Sequence, residues 1–231
     1  VTQGASDKIL NMPHTIELAG ETVTLCPERA MFWPKEKSLL IADVHFGKAR
    51  TFRARGIFVP HGTTADNLER LETLISRYQP ERIIFLGDLL HAREAQHQDL
   101  QDQLFAWRQR HAQLQLSLVL GNHDAHAGAP DRRLGIELLD EPSTLGPFAL
   151  RHHPKEVEDR YVLAGHLHPG YVISGKAHQS ARLPCFWLGQ RVGVLPAFGA
   201  FTGAYRVEQS VGERVFLAGP DKVRAIPEQF E

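Results

Sequence analysis

The order of elements predicts an α/β fold built on a parallel sheet. Two observations carry this. Short apolar runs alternate with stretches of helical period between Ser38 and Leu120, giving strand, helix, strand, helix, strand, the order produced by crossover connections. From Tyr171 onward the chain turns instead into closely spaced strand-like runs, so a parallel region is followed by more β structure.

Residues 1–37 read as edge strands and turns, with Thr15–Leu18 and Glu21–Leu25 flanking a hairpin turn at Ala19-Gly20. Ser38–Ala42 is a buried strand that stops at Asp43-Val44-His45. A basic loop follows between Arg50 and Pro60. The helix after it carries Leu68, Leu71, Ile75 and Tyr78 at three- and four-residue spacings, with Thr63 or Thr64 as its cap and Pro80 as its stop. Arg82–Leu86 is the next strand, ending at Gly87-Asp88. A second helix places Leu100, Leu104, Trp107 and His111 on one face and feeds the strand Leu116–Leu120, which ends at Gly121-Asn122-His123-Asp124. Ala125–Pro147 is rich in Gly and Pro. Phe148–Arg151 leads into His152-His153-Pro154, and Tyr161–Ala164 leads into Gly165-His166-Leu167-His168. With no repeat or linker, residues 1–231 read as one domain: N-terminal edge 1–37, motif-bearing core 38–168 and C-terminal strands 169–231.

Composition narrows the function classes. A net charge of −1 and 42% hydrophobic residues fit a globular chain without a generally basic nucleic-acid coat, although a local basic patch still serves a polyanion. The two cysteines, Cys26 and Cys185, have no metal-site or redox spacing, so a reducing cytoplasm is expected. No run has the length of a membrane span, and Val1–Leu10 lacks the build of a signal peptide.

Thirteen histidines are the oddity. Five apolar runs end in metal-ligand residue types: Asp43 with His45, Asp88, Asn122 with His123, His152, and His166 with His168. Strand ends of an α/β sheet converge on one rim, so these residues are expected to meet. On a strand-like backbone Val44 and Leu167 would point into the core while the flanking ligands share a face. Oxygen and imidazole donors without thiolate suit Mn²⁺, Fe²⁺, Zn²⁺ or Ni²⁺. With His123 set aside, the other seven donors suit two ions about 3.5 to 4 Å apart with Asp88 shared, an arrangement that activates water for attack on phosphorus. A histidine that is not a ligand would protonate the leaving alkoxide. His123 is the candidate, with Asp124 to orient it. Taken singly, these residues are ordinary loop residues, and His14, His97, His111 and His178 are read as surface or core imidazoles.

The series Asp43-x-His45, Gly87-Asp88, Gly121-Asn122-His123-Asp124, His152 and Gly165-His166-x-His168 resembles the calcineurin-like metallophosphoesterases. The resemblance implies a four-layer α-β-β-α sandwich, with Asp43, His45, Asp88 and His168 around one metal and Asp88, Asn122, His152 and His166 around the other. His152 is preferred to His153 because His-x-Pro then matches Pro154. Within the superfamily, Ala42–Lys48, the Phe52–Pro60 segment, Gly87–His91 and Leu195–Gly199 resemble the bacterial DNA ligase-associated metallophosphoesterases. That likeness implies a Mn²⁺-supported phosphodiesterase acting on single-stranded nucleic acid, with a DNA ligase, helicase and exonuclease as repair neighbours. Lys48, Arg53, Arg55 and His91 are candidate substrate contacts, the basic loop alternatively being a solvated face and His91 a helix cap. Hydrolysis of a small phosphoester and a non-catalytic scaffold are the competing functions. The retained His123 argues against the scaffold.

Overall fold

The computed structural model describes residues 12–54, 56, 63–91, 97–175, 179–200 and 202–229. The chain begins as an antiparallel meander. Strands β1 (His14–Leu18) and β2 (Glu21–Leu25) pair through the Ala19-Gly20 turn, both of whose residues have positive φ, and β3 (Ala30–Trp33) joins them to β4 (Ser38–Ile41). From β4 the pairing turns parallel, through β5 (Arg82–Leu86) and β6 (Gln115–Val119) to β7 (Ile136–Leu139), with Leu39 opposite Ile83 and Ile84 opposite Ser117. The first sheet thus runs β1 to β7 in chain order.

A second sheet collects β8 (Ser143–Leu145), β9 (Phe148–Leu150), β10 (Tyr161–Ala164), β11 (Pro169–Ser174), β12 (Ser180–Leu188), β13 (Val192–Val194), β14 (Tyr205–Arg206), β15 (Arg214–Ala218) and β16 (Val223–Ala225). Its main path is β14-β11-β12-β13-β10-β9-β8, with β15 joining β12 to β16.

Alternation along each strand decides the layers. Leu39, Ile41, Ile83, Phe85, Leu116 and Leu118 face the helices α2 (Thr63–Tyr78) and α3 (Gln98–Arg110), meeting Leu71, Leu74, Leu100, Leu104 and Trp107. Their strand neighbours Leu40, Ile84, Leu86 and Val119 point the other way, against Phe148, Leu150, Leu163, Phe186 and Phe216 of the second sheet. The two sheets therefore share a core and form the expected two-sheet sandwich, with α2 and α3 as the helical layer on the first sheet. The outer face of the second sheet packs Cys185, Val215 and Leu217 against Val207 and Ile226. Among the described residues all four α-helices lie between Lys48 and Ala127, so strands and loops rather than helices cover that face.

Two local expectations change. Lys48–Ala54 is a helix, α1, rather than the start of a loop. Asn122–Ala127 is a short helix, α4, with Gly121 as its N-cap and the Asp124 carboxylate accepting the Gly121 N–H. No helix among the described residues is long and apolar enough to cross a membrane.

Candidate metal centre

The sandwich closes at the rim where β4, β5, β6 and β10 end. Backbone bonds stitch it: Phe198 donates to the Ala42 carbonyl at 2.8 Å and Gly199 to the Asp43 carbonyl at 3.0 Å, while His45 donates to the Asp88 carbonyl at 2.9 Å. The residues that leave the strands do not continue in extended form. Asp43, His45, Asp88, His166 and His168 have φ of 53°, 51°, 50°, 71° and 51°, each in the left-handed region that costs a side-chain-bearing residue on the order of 1 kcal/mol or more. These sharp turns, not strand alternation, bring the side chains together. Val44 is buried in the core as expected, whereas Leu167 is only half-buried.

The seven residues converge in two overlapping groups. Asp43, His45 and His168 form one, with His45 Nε2 3.2 Å from His168 Nε2 and Asp43 Oδ1 3.5 Å from His168 Nε2. In the other, His152 Nε2 lies 2.9 Å from Asn122 Oδ1, 3.1 Å from His166 Nδ1 and 3.5 Å from Asp88 Oδ1. Asp88 touches both, its Oδ2 standing 3.8 Å from His45 Nε2. His152 is fully buried in this cluster. Its neighbour His153 is 48% exposed in its side chain with Nδ1 3.9 Å from Glu141, but its ring packs against His166 at a 50° tilt and its ring nitrogen lies near enough to those of His152 and His166 to share a metal with them.

Second contacts fix which nitrogen faces inward. A carbonyl only accepts, so His152 Nδ1–H donates to Leu86 O (3.1 Å) and His168 Nδ1–H to Gly203 O (3.0 Å). Both rings then present an Nε2 lone pair to the cluster, the arrangement typical of metal-binding imidazoles. Burial, then Lys48 and His168, holds His45 far below the ordinary histidine range, and burial followed by His152 lowers His166. Both shifts favour the neutral, metal-binding form of the ring. Asp43 Oδ1 is buried without a hydrogen-bond partner among the described residues. Two buried carboxylates among imidazole lone pairs have the half-buried Lys48 near them, one cation against two buried anions, and divalent cations fit the remaining deficit. The His/Asp groups can hold metal.

Two glycines make room for this crowding. A Cβ on Gly121 would stand 2.3 Å from Asp88 Oδ1, and one on Gly87 would stand 2.1 Å from His152 Nδ1.

A family model described as calcineurin-like phosphoesterase matches residues 37–166, more than half of the chain. The chain belongs to the calcineurin-like phosphoesterase family. A crystal structure of Pseudomonas putida nuclease MPE is similar at a TM-score of 0.83 and 40% identity, covering 93% of this chain and 100% of that one. The E. coli phosphoesterase Yfce aligns at a TM-score of 0.40 and 10% identity, over 82% of this chain and 97% of its own. No curated protein sequence matches the chain. As a calcineurin-like phosphoesterase, the protein is a metal-dependent phosphoric ester hydrolase.

The remaining candidates fall around this phosphoesterase centre. His123 stands at its edge, its side chain 39% exposed and Nε2 4.0 Å from Asp88 Oδ2. Its backbone N–H donates to Asp88 Oδ1 at 2.9 Å. Its ring is oriented by the His91 carbonyl, which accepts from Nδ1–H at 2.8 Å, and not by Asp124. Asp124 instead accepts the N–H groups of Leu90 and Gly121, both at 3.0 Å, and burial raises its pKa. The expectation that Asp124 orients His123 is thus corrected: side chains of successive helical residues point about 100° apart, so its carboxylate turns to the backbone of the neighbouring loop.

His91 stacks on His123 with ring centroids 4.9 Å apart, and α3 begins only at Gln98, so His91 does not cap it. Lys48 is half-buried beside the cluster. Burial lowers its pKa while Asp43 and Asp88 raise it, and its Nζ lies 5.8 Å from the Phe52 ring centroid. Arg53 is exposed on α1; Arg55 and His178 lie outside the described residues.

Sequence reasoning missed a set of arginines. Arg29 Nη1 donates to the carbonyls of Ala197 and Gly199, both at 3.4 Å. Arg70 donates to Phe198 O at 2.5 Å and lies over its ring, 4.4 Å from the centroid. Together they fasten the segment that stitches the Asp43 loop. Single arginines so far apart in sequence carry no motif that would have marked them.

Proposed function

We propose that this phosphoesterase is a dinuclear-metal phosphodiesterase that cleaves nucleic acid, single-stranded DNA in particular. The observation that carries this reading is the 40% identity with a nuclease over 93% of the chain, combined with a donor cluster that includes all seven expected residues. Asp43, His45, Asp88 and His168 would hold one ion, and Asp88, Asn122, His152 and His166 the other. The donor set contains no thiolate and suits Mn²⁺, Fe²⁺, Zn²⁺ or Ni²⁺ alike; Mn²⁺ is preferred on the family likeness. Such a pair of ions supplies Lewis acidity and an activated water at neutral pH.

The chain's own residues do the rest. His123, with Nδ1 occupied by the His91 carbonyl, presents Nε2 as the proton donor to the leaving oxygen. Lys48 adds positive charge beside the carboxylates, while Arg53, Arg55 and His91 offer contacts to the flanking strand. A DNA repair setting with a DNA ligase, a helicase and an exonuclease, in the cytoplasm, follows from the family likeness. The buried free thiols of Cys26 and Cys185, both pushed up to about 12 by burial, agree with a reducing compartment.

The test compares a phosphate diester with the matching monoester across added Mn²⁺, Zn²⁺ and Mg²⁺, then single-stranded with duplex DNA. Diester preference, strongest with Mn²⁺, and cleavage of single strands are expected. A preference for the monoester, or diester hydrolysis with both DNA forms left intact, would overturn the reading.

A further inference from the structure

On the far side of His168 from the cluster lies a pocket of about 460 Å³. His168 is the shared wall: Nε2 faces His45, while Nδ1–H is bound to Gly203 O, itself part of the pocket lining. The pocket also contains Arg29, Arg182, Thr202 and Ala204, and none of its nine lining residues is acidic. The cavity on the other side of Arg29 differs, since Glu28, Asp66 and Glu69 line it. An anion is therefore favoured in the pocket beside His168 and disfavoured in its neighbour.

Both guanidinium groups are held by the fold. The Arg182 stem crosses Gly170 so closely that a Cβ there would stand 3.0 Å from its Cγ and 3.1 Å from its Cδ. Its Nη1 donates to Ala204 O at 3.2 Å. Arg29 sits in a left-handed turn, φ 67°, with Nη1 on two carbonyls of the 197–199 segment. A guanidinium carries five N–H donors in a rigid fork, and these described contacts engage one terminal nitrogen of each. The pocket thus pairs two positioned forks with a hydroxyl at Thr202, the chemistry that holds a phosphate through charge-assisted bonds.

We propose that this pocket is a subsite for a backbone phosphate next to the scissile one, held by Arg29 and Arg182, an inference that rests on the nucleic-acid reading above. The scissile phosphate would lie on the cluster side of His168 and a neighbouring phosphate on the pocket side, so the strand would cross the ring of one metal-cluster histidine. A small diester has no group to fill the pocket.

The experiment measures binding of the metal-loaded protein to a fluorescein-labelled oligothymidylate with phosphorothioate linkages, which slow cleavage, and to a thymidine dinucleotide, over a range of salt. Arg182 is exposed, so its replacement leaves the core untouched. For Arg182→Ala we expect oligonucleotide binding about tenfold weaker, with the slope of log Kd against log salt flatter by about 0.7, the value for one lost single-strand phosphate contact. Arg182→Glu should weaken it further, and Arg182→Lys should restore most of the slope while leaving affinity reduced. The dinucleotide should weaken much less than the oligonucleotide. An unchanged slope in both the Ala and Glu variants, or equal weakening of the two ligands, would overturn the subsite while leaving the nucleic-acid reading intact. Wild-type protein that binds the oligonucleotide no better than the dinucleotide would overturn both.

Discussion

His123 shares with His152 and His168 an Nδ1–H committed to a backbone carbonyl, and differs from them in its greater exposure and in the longer distance of its Nε2 from the carboxylates. Its Nδ1–H is committed to the His91 carbonyl, and its Nε2 has Asp88 Oδ2 at 4.0 Å while the ring remains partly open to solvent. In the proposed mechanism a ring so placed would donate a proton from Nε2 to the leaving oxygen without giving up a ligand position. General acid catalysis of this kind contributes about 10²- to 10⁴-fold, and only where the leaving oxygen is a poor one. His123→Ala should therefore lower kcat on a nucleotide diester by about that factor, and by about tenfold or less on an aryl diester such as bis(p-nitrophenyl) phosphate. Equal losses on the two substrates would instead assign His123 to positioning or charge stabilisation.

The loops that end the strands show where local rules yield to the site. Five residues of the cluster occupy left-handed backbone, and Gly121, with an ordinary φ of −95°, is needed for space rather than for conformation. Its absent Cβ leaves room for Asp88, whose backbone N would stand 2.5 Å from that atom. Because backbone cannot swing aside, Gly121→Ala should displace Asp88 and lose metal stoichiometry, measured by elemental analysis of protein purified without chelators. Full metal content in the variant would show that the rim yields. The sequence made β4, β5, β6 and β10 legible because buried parallel strands are apolar runs, and their ends were legible because Asp, Asn and His have little reason to follow such runs together. Helix α1 was not legible, since Lys48–Ala54 mixes three cations with Phe52 and has no apolar stripe. Helix α4 was hidden by its shortness and by loop-like residues. The turn of Asp124 away from His123 depends on α4 being helical, so it was lost with it.

Across the whole molecule the cluster draws on both sheets. Asp43, His45, Asp88 and Asn122 follow strands of the first, whereas His152, His166 and His168 follow β9 and β10 of the second. Ions bound there would tie the two halves of the sandwich at the rim, adding to the shared apolar core and to the backbone stitch at Ala42 and Asp43. Ions that bind only the folded chain stabilise it by about 4 kcal/mol when present at about a thousand times their Kd. For a chain of this size that corresponds to a Tm shift of about 8 to 16 °C. Removing metal with a chelator should lower the Tm by that amount, with amide exchange accelerating in the loops after β4 and β10 together, because each loses the partner that the ions bridged. A Tm unchanged by chelation and restored metal would mean that the rim is held by its hydrogen bonds alone. Acceleration confined to one sheet would mean that the ions sit within one half of the sandwich instead of across it.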